Sequence, residues 1–207
     1  MATTTRTRKP TAERREDIAK AVLRIVGERG LTALTTTAVA EEVGVTSGAL
    51  FRHFASREEI LDEVVRHAVE RIEGTFPDPS LPPLERLLGL ARNRVRLLGS
   101  EPGLAWLLLS DQASLALPAD AVERLRGLVE RSRRFLLDAL RDGVRDGTIR
   151  DDIEPEVLLV PVMGTVHALV GMRGVHRGAA RRNRGPDRVF AALRRLIAPS
   201  HPQPQRR

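Results

Sequence analysis

Residues 34–61 read LTTTAVAEEVGVTSGALFRHFASREEIL, and this stretch decides the fold. Thr35 is placed to cap a short helix through Val39, Ala40 and Val43, because a threonine oxygen accepts a bond from the orphan amides of a first turn. Gly44 ends that helix. Thr46 caps a third helix of about two turns that holds Leu50 and Phe54. Ser56 and Glu59 then form a capping box that opens a long helix through Ile60, Leu61, Val64, Val65, Ala68 and Ile72. Two short helices joined at a glycine, with Val39, Ala40, Val43, Val45 and Leu50 turned to a common core, make a helix-turn-helix. Small Ala40 lets the helices approach, and Gly44 permits a reversal that a Cβ would resist. The third helix leads with Thr46, Ser47, Gly48 and Ala49. It exposes Ser47, Arg52 and His53, where a hairpin buried in a core would carry apolar groups.

Upstream, Ile18, Val22, Ile25 and Val26 fall on one helical face that stops at Gly30. Downstream, Pro77 and Pro79 break the long helix, and the chain keeps helical periodicity with no strand-like alternation. Candidate helices cover residues 82–98, 103–112, 119–145, 155–172 and 187–197. Gly99, Pro102, Pro118, Asp146-Gly147 and a glycine-arginine stretch over 173–185 punctuate them. The expectation is an all-α protein with a boundary near residues 74–80, divided as a disordered basic arm (1–11), a helix-turn-helix domain (12–55), a connecting helix (56–79), a C-terminal domain (80–198) and a disordered tail (199–207).

Composition narrows the function classes. The 207 residues suffice for one large or two small domains. No apolar run approaches the roughly 20 residues of a membrane span, so no membrane partner is expected. Residues 1–11 are polar and basic with no apolar stretch behind them, which fits a cytoplasmic setting better than a secreted one. The absence of cysteine excludes disulfides, thiolate catalysis and zinc-thiolate sites. Aromatics are 3% with no tyrosine, which removes the stacking platforms of single-strand binders and leaves duplex binding open. The formal charge of +7 is concentrated in residues 173–207, which hold 10 basic groups against 1 acidic one. Nearly all the cations are arginine, a pattern that coding bias produces as readily as phosphate recognition.

The segment resembles the N-terminal DNA-binding domain of the TetR family of transcriptional regulators, whose pattern runs from a threonine through AxxxGV[ST]xGxLYxHF to [ST]K. The matching residues are Thr35, Ala40, Gly44, Val45, Thr46, Gly48, Leu50, His53, Phe54 and Ser56. Phe51 stands where the family has tyrosine, losing a hydroxyl that reaches phosphate, and Arg57 replaces lysine, keeping the charge. The resemblance covers residues 13–65 in sequence and the remainder in architecture. It implies phosphate contacts from Thr35, Thr36, His53 and Arg57, and base-edge contacts from Thr37, Ser47, Gly48, Ala49 and Arg52. Among these, Arg52 alone can bind guanine O6 and N7 bidentately. Phe51 either touches a thymine methyl or packs on Val45. Arg6, Arg8 and Lys9 form either a groove-reaching arm or a solvated tail.

The resemblance also implies a C-terminal ligand-binding and dimerisation domain, with residues 155–172 and 187–197 forming a two-fold four-helix interface. Residues 104–109 and 157–172 are apolar almost throughout, so both are expected to be buried on most sides. Pro161 should kink the latter. A ligand pocket, if present, would involve Trp106, Leu107, Phe135, Met163 and His167. Trp106 and His167 bring a polar atom into apolar runs, although an interface histidine is an equal reading of His167. Few formal charges there favour a hydrophobic or amphipathic small molecule. Residues 173–184 are a solvated linker or a second backbone contact. The functional expectation is a homodimeric repressor released from a palindromic double-stranded operator by a small-molecule effector, with no cofactor. The alternative is a helical interaction protein that binds DNA without reading sequence. There is no HExxH, phosphate loop or serine elbow, and the five histidines lack metal-ligand spacing, so enzymatic function is not expected.

Overall fold

The computed structural model describes residues 10–171 and 185–199, which comprise helices and their connections with no strand among them. Arg6, Arg8, Lys9, the 173–184 stretch and the 200–207 tail lie outside the described residues. The helices are α1 (Thr11–Arg29), α2 (Thr36–Val43), α3 (Ser47–Leu50), α4 (Arg57–Glu73), α5 (Pro83–Ser100), α6 (Pro102–Leu109), α7 (Asp111–Ala116), α8 (Ala119–Arg145), α9 (Pro155–Gly171) and α10 (Gly185–Ile197). They sort into two compact units, one built from residues 10–70 and 101–125, the other from 71–100, 126–171 and 185–199. Whereas the sequence suggests a linear partition with everything beyond residue 80 in one domain, α6 and α7 belong with the N-terminal unit.

The first unit is organised around α1. The apolar stripe read from the sequence, Ile18, Val22, Ile25 and Val26, is buried, but so are Ala19, Ala21 and Leu23. A second face of α1 is covered because α6 lies directly against it. Glycines allow this approach. A Cβ at Gly103 would fall 2.1 Å from the Leu23 carbonyl oxygen, and one at Gly27 would fall 2.5 Å from the Gly103 nitrogen. The single helix expected over 103–112 is two, because Ser110 adopts an extended conformation (φ −101°, ψ 124°) between α6 and α7.

The start of α4 is fixed by the residues that suggested its cap. Ser56 Oγ accepts from the Glu59 amide at 3.2 Å, and Glu59 Oε2 accepts from the Ala55 amide at 2.6 Å. Arg15 of α1 donates to Glu59 Oε1 (2.8 Å) and through Nε to Glu63 Oε2 (3.1 Å). The Ala55 amide first, and the Arg15 guanidinium second, hold the Glu59 carboxyl below its ordinary pKa.

In the second unit α5 buries Leu87, Leu88, Leu90, Ala91, Val95 and Leu98. It packs against α9 and α10. Arg86 links α5 to Asp142 of α8 at 2.6 Å, and Phe76 meets Phe135 edge-on with centroids 5.2 Å apart. The Asp146-Gly147 turn follows α8, with Gly147 at φ 74°. Residues 155–171 are not buried on most sides as their composition suggests. Leu158, Leu159, Val162 and Val170 point inward, while Val157 is 55% and Val160 70% exposed within the protomer. Uniform apolarity hides which face a single chain covers.

Two outcomes follow from this packing. Gly103→Ala should destabilise the protein by about 1–3 kcal/mol in urea unfolding, because backbone on both sides leaves the methyl no space. Because the folded pKa of Glu59 lies below its unfolded value, its stabilisation is complete above the ordinary carboxylate range and lost as pH falls through the folded pKa. Glu59→Gln should therefore lower Tm at neutral pH and shrink the difference between Tm at pH 7 and pH 4; an unchanged difference would contradict the assignment.

Candidate nucleic-acid interface

The turn between α2 and α3 follows from local chemistry. Thr35 Oγ1 accepts from the Ala38 amide at 3.1 Å, and Thr46 Oγ1 accepts from the Ala49 amide at 3.2 Å. Between them Gly44 takes the left-handed conformation (φ 68°, ψ 45°), and the Val45 amide returns to the Ala40 carbonyl at 2.9 Å. α3 is a single turn rather than the expected two. It continues as i→i+3 turns, with the Arg52 amide on Ala49 O (3.3 Å) and the His53 amide on Leu50 O (3.0 Å). Phe54 therefore lies beyond α3, where it is buried beneath the Arg15 guanidinium, 4.3 Å from its ring centroid.

Burial separates the two sides of this motif. Val39, Ala40 and Leu50 are buried, whereas Thr35, Thr37, Thr46, Gly48, Phe51, Arg52 and Arg57 are exposed and Thr36, Ser47, Ala49 and His53 are half-buried. Each capping threonine uses an oxygen lone pair for the helix, which leaves its hydroxyl hydrogen to donate outward, for instance to a phosphate oxygen. Nothing lies within 4 Å of the position a Cβ would take on Gly48, so the backbone there is open to close approach. Phe51 is 46% exposed, which disfavours the reading in which it packs away on Val45.

The charges on this side are distributed to match an anion. Arg52 and Arg57 form no hydrogen bond or ion pair with any other described residue. The acids nearby are occupied: Glu42 meets Arg24 (3.2 Å) and Arg29 (3.0 Å), and Glu59 meets Arg15. Glu58 is held below its ordinary pKa first by its own backbone amide, then by the Ser56 hydroxyl, with a smaller attraction from Arg57.

The sequence reading missed Arg15. Besides binding Glu59 and Glu63, it donates through Nη1 to the His53 carbonyl at 3.0 Å, tying the end of the recognition element to α1 and α4. Its partners lie 38 to 48 positions away in the chain, and no local pattern marks it.

The five ligand-site candidates do not converge within one unit. Trp106 and Leu107 belong to the first, where they border an apolar gap of about 10 Å³ with Val22, Leu34 and Arg57. Phe135, Met163 and His167 belong to the second. His167 is exposed, so the argument that its ring must find a buried partner fails. Phe135 and Met163 are half-buried. No group of three His, Asp or Glu side chains converges as metal ligands among the described residues, and no described helix is long and apolar enough to cross a membrane.

Comparison with known proteins accords with this arrangement. Residues 18–64 match the model for bacterial regulatory proteins of the tetR family. The chain is 26% identical over 150 residues to the HTH-type transcriptional repressor KstR2 of Mycolicibacterium smegmatis, covering 71% of this chain and 73% of that one. Its fold is similar to the ketosteroid transcriptional regulator KstR2 of Mycobacterium tuberculosis, with TM-score 0.72, 24% identity, and coverage of 89% of this chain and 95% of that one. It is also similar to AibR in complex with isovaleryl coenzyme A and operator DNA, with TM-score 0.70, 16% identity, and coverage of 89% and 98%. Residues 18–64 thus carry the helix-turn-helix of the tetR family of bacterial regulatory proteins, and the all-helical fold and these relatives support a TetR family transcriptional regulator.

Proposed function

We propose that this protein is a homodimeric repressor that inserts α3 of each protomer into successive major grooves of a palindromic operator and is released by a small amphipathic ligand. The observation that carries the reading is the one-sided chemistry of the helix-turn-helix, apolar toward α1 and α4 and rich in free donors on the other side. Thr35, Thr36, His53 and Arg57 hold phosphates and set register, while Thr37, Ser47, Gly48, Ala49 and Arg52 face base edges. Phe51 offers an apolar edge to a thymine methyl. Arg15, touching the His53 carbonyl, sets the angle at which this face is presented.

Dimerisation is supported by the outward face of the second unit. Val157, Val160, Pro161, Gly164, Ala168 and Gly171 recur at helical spacing along α9 and are exposed, and Leu196 of α10 is 64% exposed. The small residues thin this stripe so that a partner helix can approach. Two copies would set their recognition elements about 34 Å apart, one turn of duplex.

A small-molecule input is supported by the relatives, and release is the response proposed for it. One similar protein is a repressor, and another was solved with isovaleryl coenzyme A and operator DNA. A ligand that favours a conformation with mismatched spacing needs a differential affinity of about 1–3 kcal/mol. Acyl thioesters and related amphipathic molecules are the first class to test, in a repressor acting where bacterial DNA lies, in the cytoplasm.

Selection from a random duplex pool should return an inverted repeat. On that site Arg52→Ala should relax preference at one base pair per half-site by about 1–3 kcal/mol, while Arg57→Ala should weaken all sequences alike and lower the salt slope by about 1. Identical behaviour of the two variants would refute the division between reading and anchoring. A pool that yields no motif, with a steep salt slope, would favour the sequence-blind alternative. Val160→Glu should give monomers in sedimentation and lose operator binding, with the helical content unchanged.

A further inference from the structure

Arg94 is the exception to the rule that buried charges are paired. It sits on the inner face of α5 with 8% of its surface exposed. Burial lowers its pKa to about 10, with Glu73 as an opposing influence. Yet Glu73 itself is bound by Arg131, and Arg94 forms no ion pair with any described residue. Its protein acceptors are two hydroxyls: Nε donates to Thr75 Oγ1 at 2.5 Å, and Nη2 to Ser132 Oγ at 3.0 Å. Both hydroxyls have already donated their own protons, to the Ile72 carbonyl (2.6 Å) and the Leu128 carbonyl (2.8 Å), so they are fixed as acceptors. A guanidinium has five N–H groups; with two engaged, three remain, including both on Nη1.

The surroundings are aromatic. The guanidinium carbon lies 5.2 Å from the Phe76 ring centroid, and Phe76 in turn meets Phe135. Both rings are half-buried, so apolar surface adjoins the cation. A cation near the end of α4 gains a little from the helix dipole. That role alone needs no planar fork held at one edge by two oriented hydroxyls. Desolvating a charge is unfavourable unless a counter-charge meets it, and Glu73, the carboxylate that acts on Arg94, is itself held by Arg131.

We propose that Arg94 binds the oxyanion of an amphipathic ligand, a carboxylate or a phosphate, whose apolar part lies against Phe76 and Phe135. The inference rests on the ligand-responsive reading above and narrows it: the effector is an acid rather than a neutral hydrophobe. The planar fork suits two parallel bonds to either oxyanion.

The test is isothermal titration of the full-length protein with three probes that share one chain: decanoate, decanoyl-CoA and decanol. Wild type should bind at least one of the two anions about tenfold or more tighter than decanol, a difference of about 1.4 kcal/mol. Which anion binds tells carboxylate from phosphate. Arg94→Gln should abolish the preference and leave decanol binding unchanged. Arg94→Lys, which retains charge without the fork, should keep only part of it, and with the wild-type ratio it carries the test if Arg94→Gln fails to fold. Equal binding of alcohol and acids overturns the role of Arg94 while leaving an amphipathic effector in place. An acid preference that survives Arg94→Gln also overturns it. Binding of none of the three probes counts against both the oxyanion site and the amphipathic-ligand reading.

Discussion

The close passage of α1 and α6 is the constraint on which the N-terminal unit depends. Two glycines, Gly27 and Gly103, bring backbone against backbone where any side chain would collide with the Leu23 carbonyl or the Gly103 amide. Packing at that distance covers a second face of α1. The helix-turn-helix therefore does not stand on its three helices alone. Residues from the middle of the chain complete its core, so the helix-turn-helix and the 101–125 segment form one compact body.

Arg15 adds direction to that frame. A short recognition helix has little rigidity of its own, and its orientation depends on what holds its ends. Thr46 fixes the start through the Ala49 amide. Arg15 fixes the finish through the His53 carbonyl and over the Phe54 ring. The same guanidinium bonds Glu59 and Glu63 of α4, so one side chain sets three elements relative to one another. An exposed ion pair contributes little to stability. This cluster is part-buried, Glu63 being only 5% exposed, and its geometry joins α1, α4 and the end of the helix-turn-helix.

The second unit combines two features that composition obscures. α9 is apolar on nearly every position, but only half of it is covered within the protomer, which leaves an apolar stripe exposed. α5 hides a charge inside a face that otherwise reads as leucine and alanine. The sequence reading of this region as poor in formal charge missed Arg94, because in the run Arg92-Asn93-Arg94-Val95-Arg96 it looks like one more exposed position on an amphipathic helix.

What the sequence determined by itself was local. The Thr35 and Thr46 caps, the Gly44 reversal and the Ser56–Glu59 box each involve partners within five positions, so residue type and spacing carry the whole interaction. The span of α8, 119–145, was legible for the same reason, its apolar face being periodic and its ends marked by Pro118 and Asp146-Gly147. The tertiary structure decided everything that depends on a partner far along the chain: the transfer of α6 and α7 to the N-terminal unit, the reach of Arg15 across 38 to 48 positions, the exposure of His167 and the burial of Arg94. Hydrogen bonding to a neighbour in sequence is fixed by backbone geometry, but which face of a helix is covered, and which charge is stranded inside, is settled only when separate helices pack.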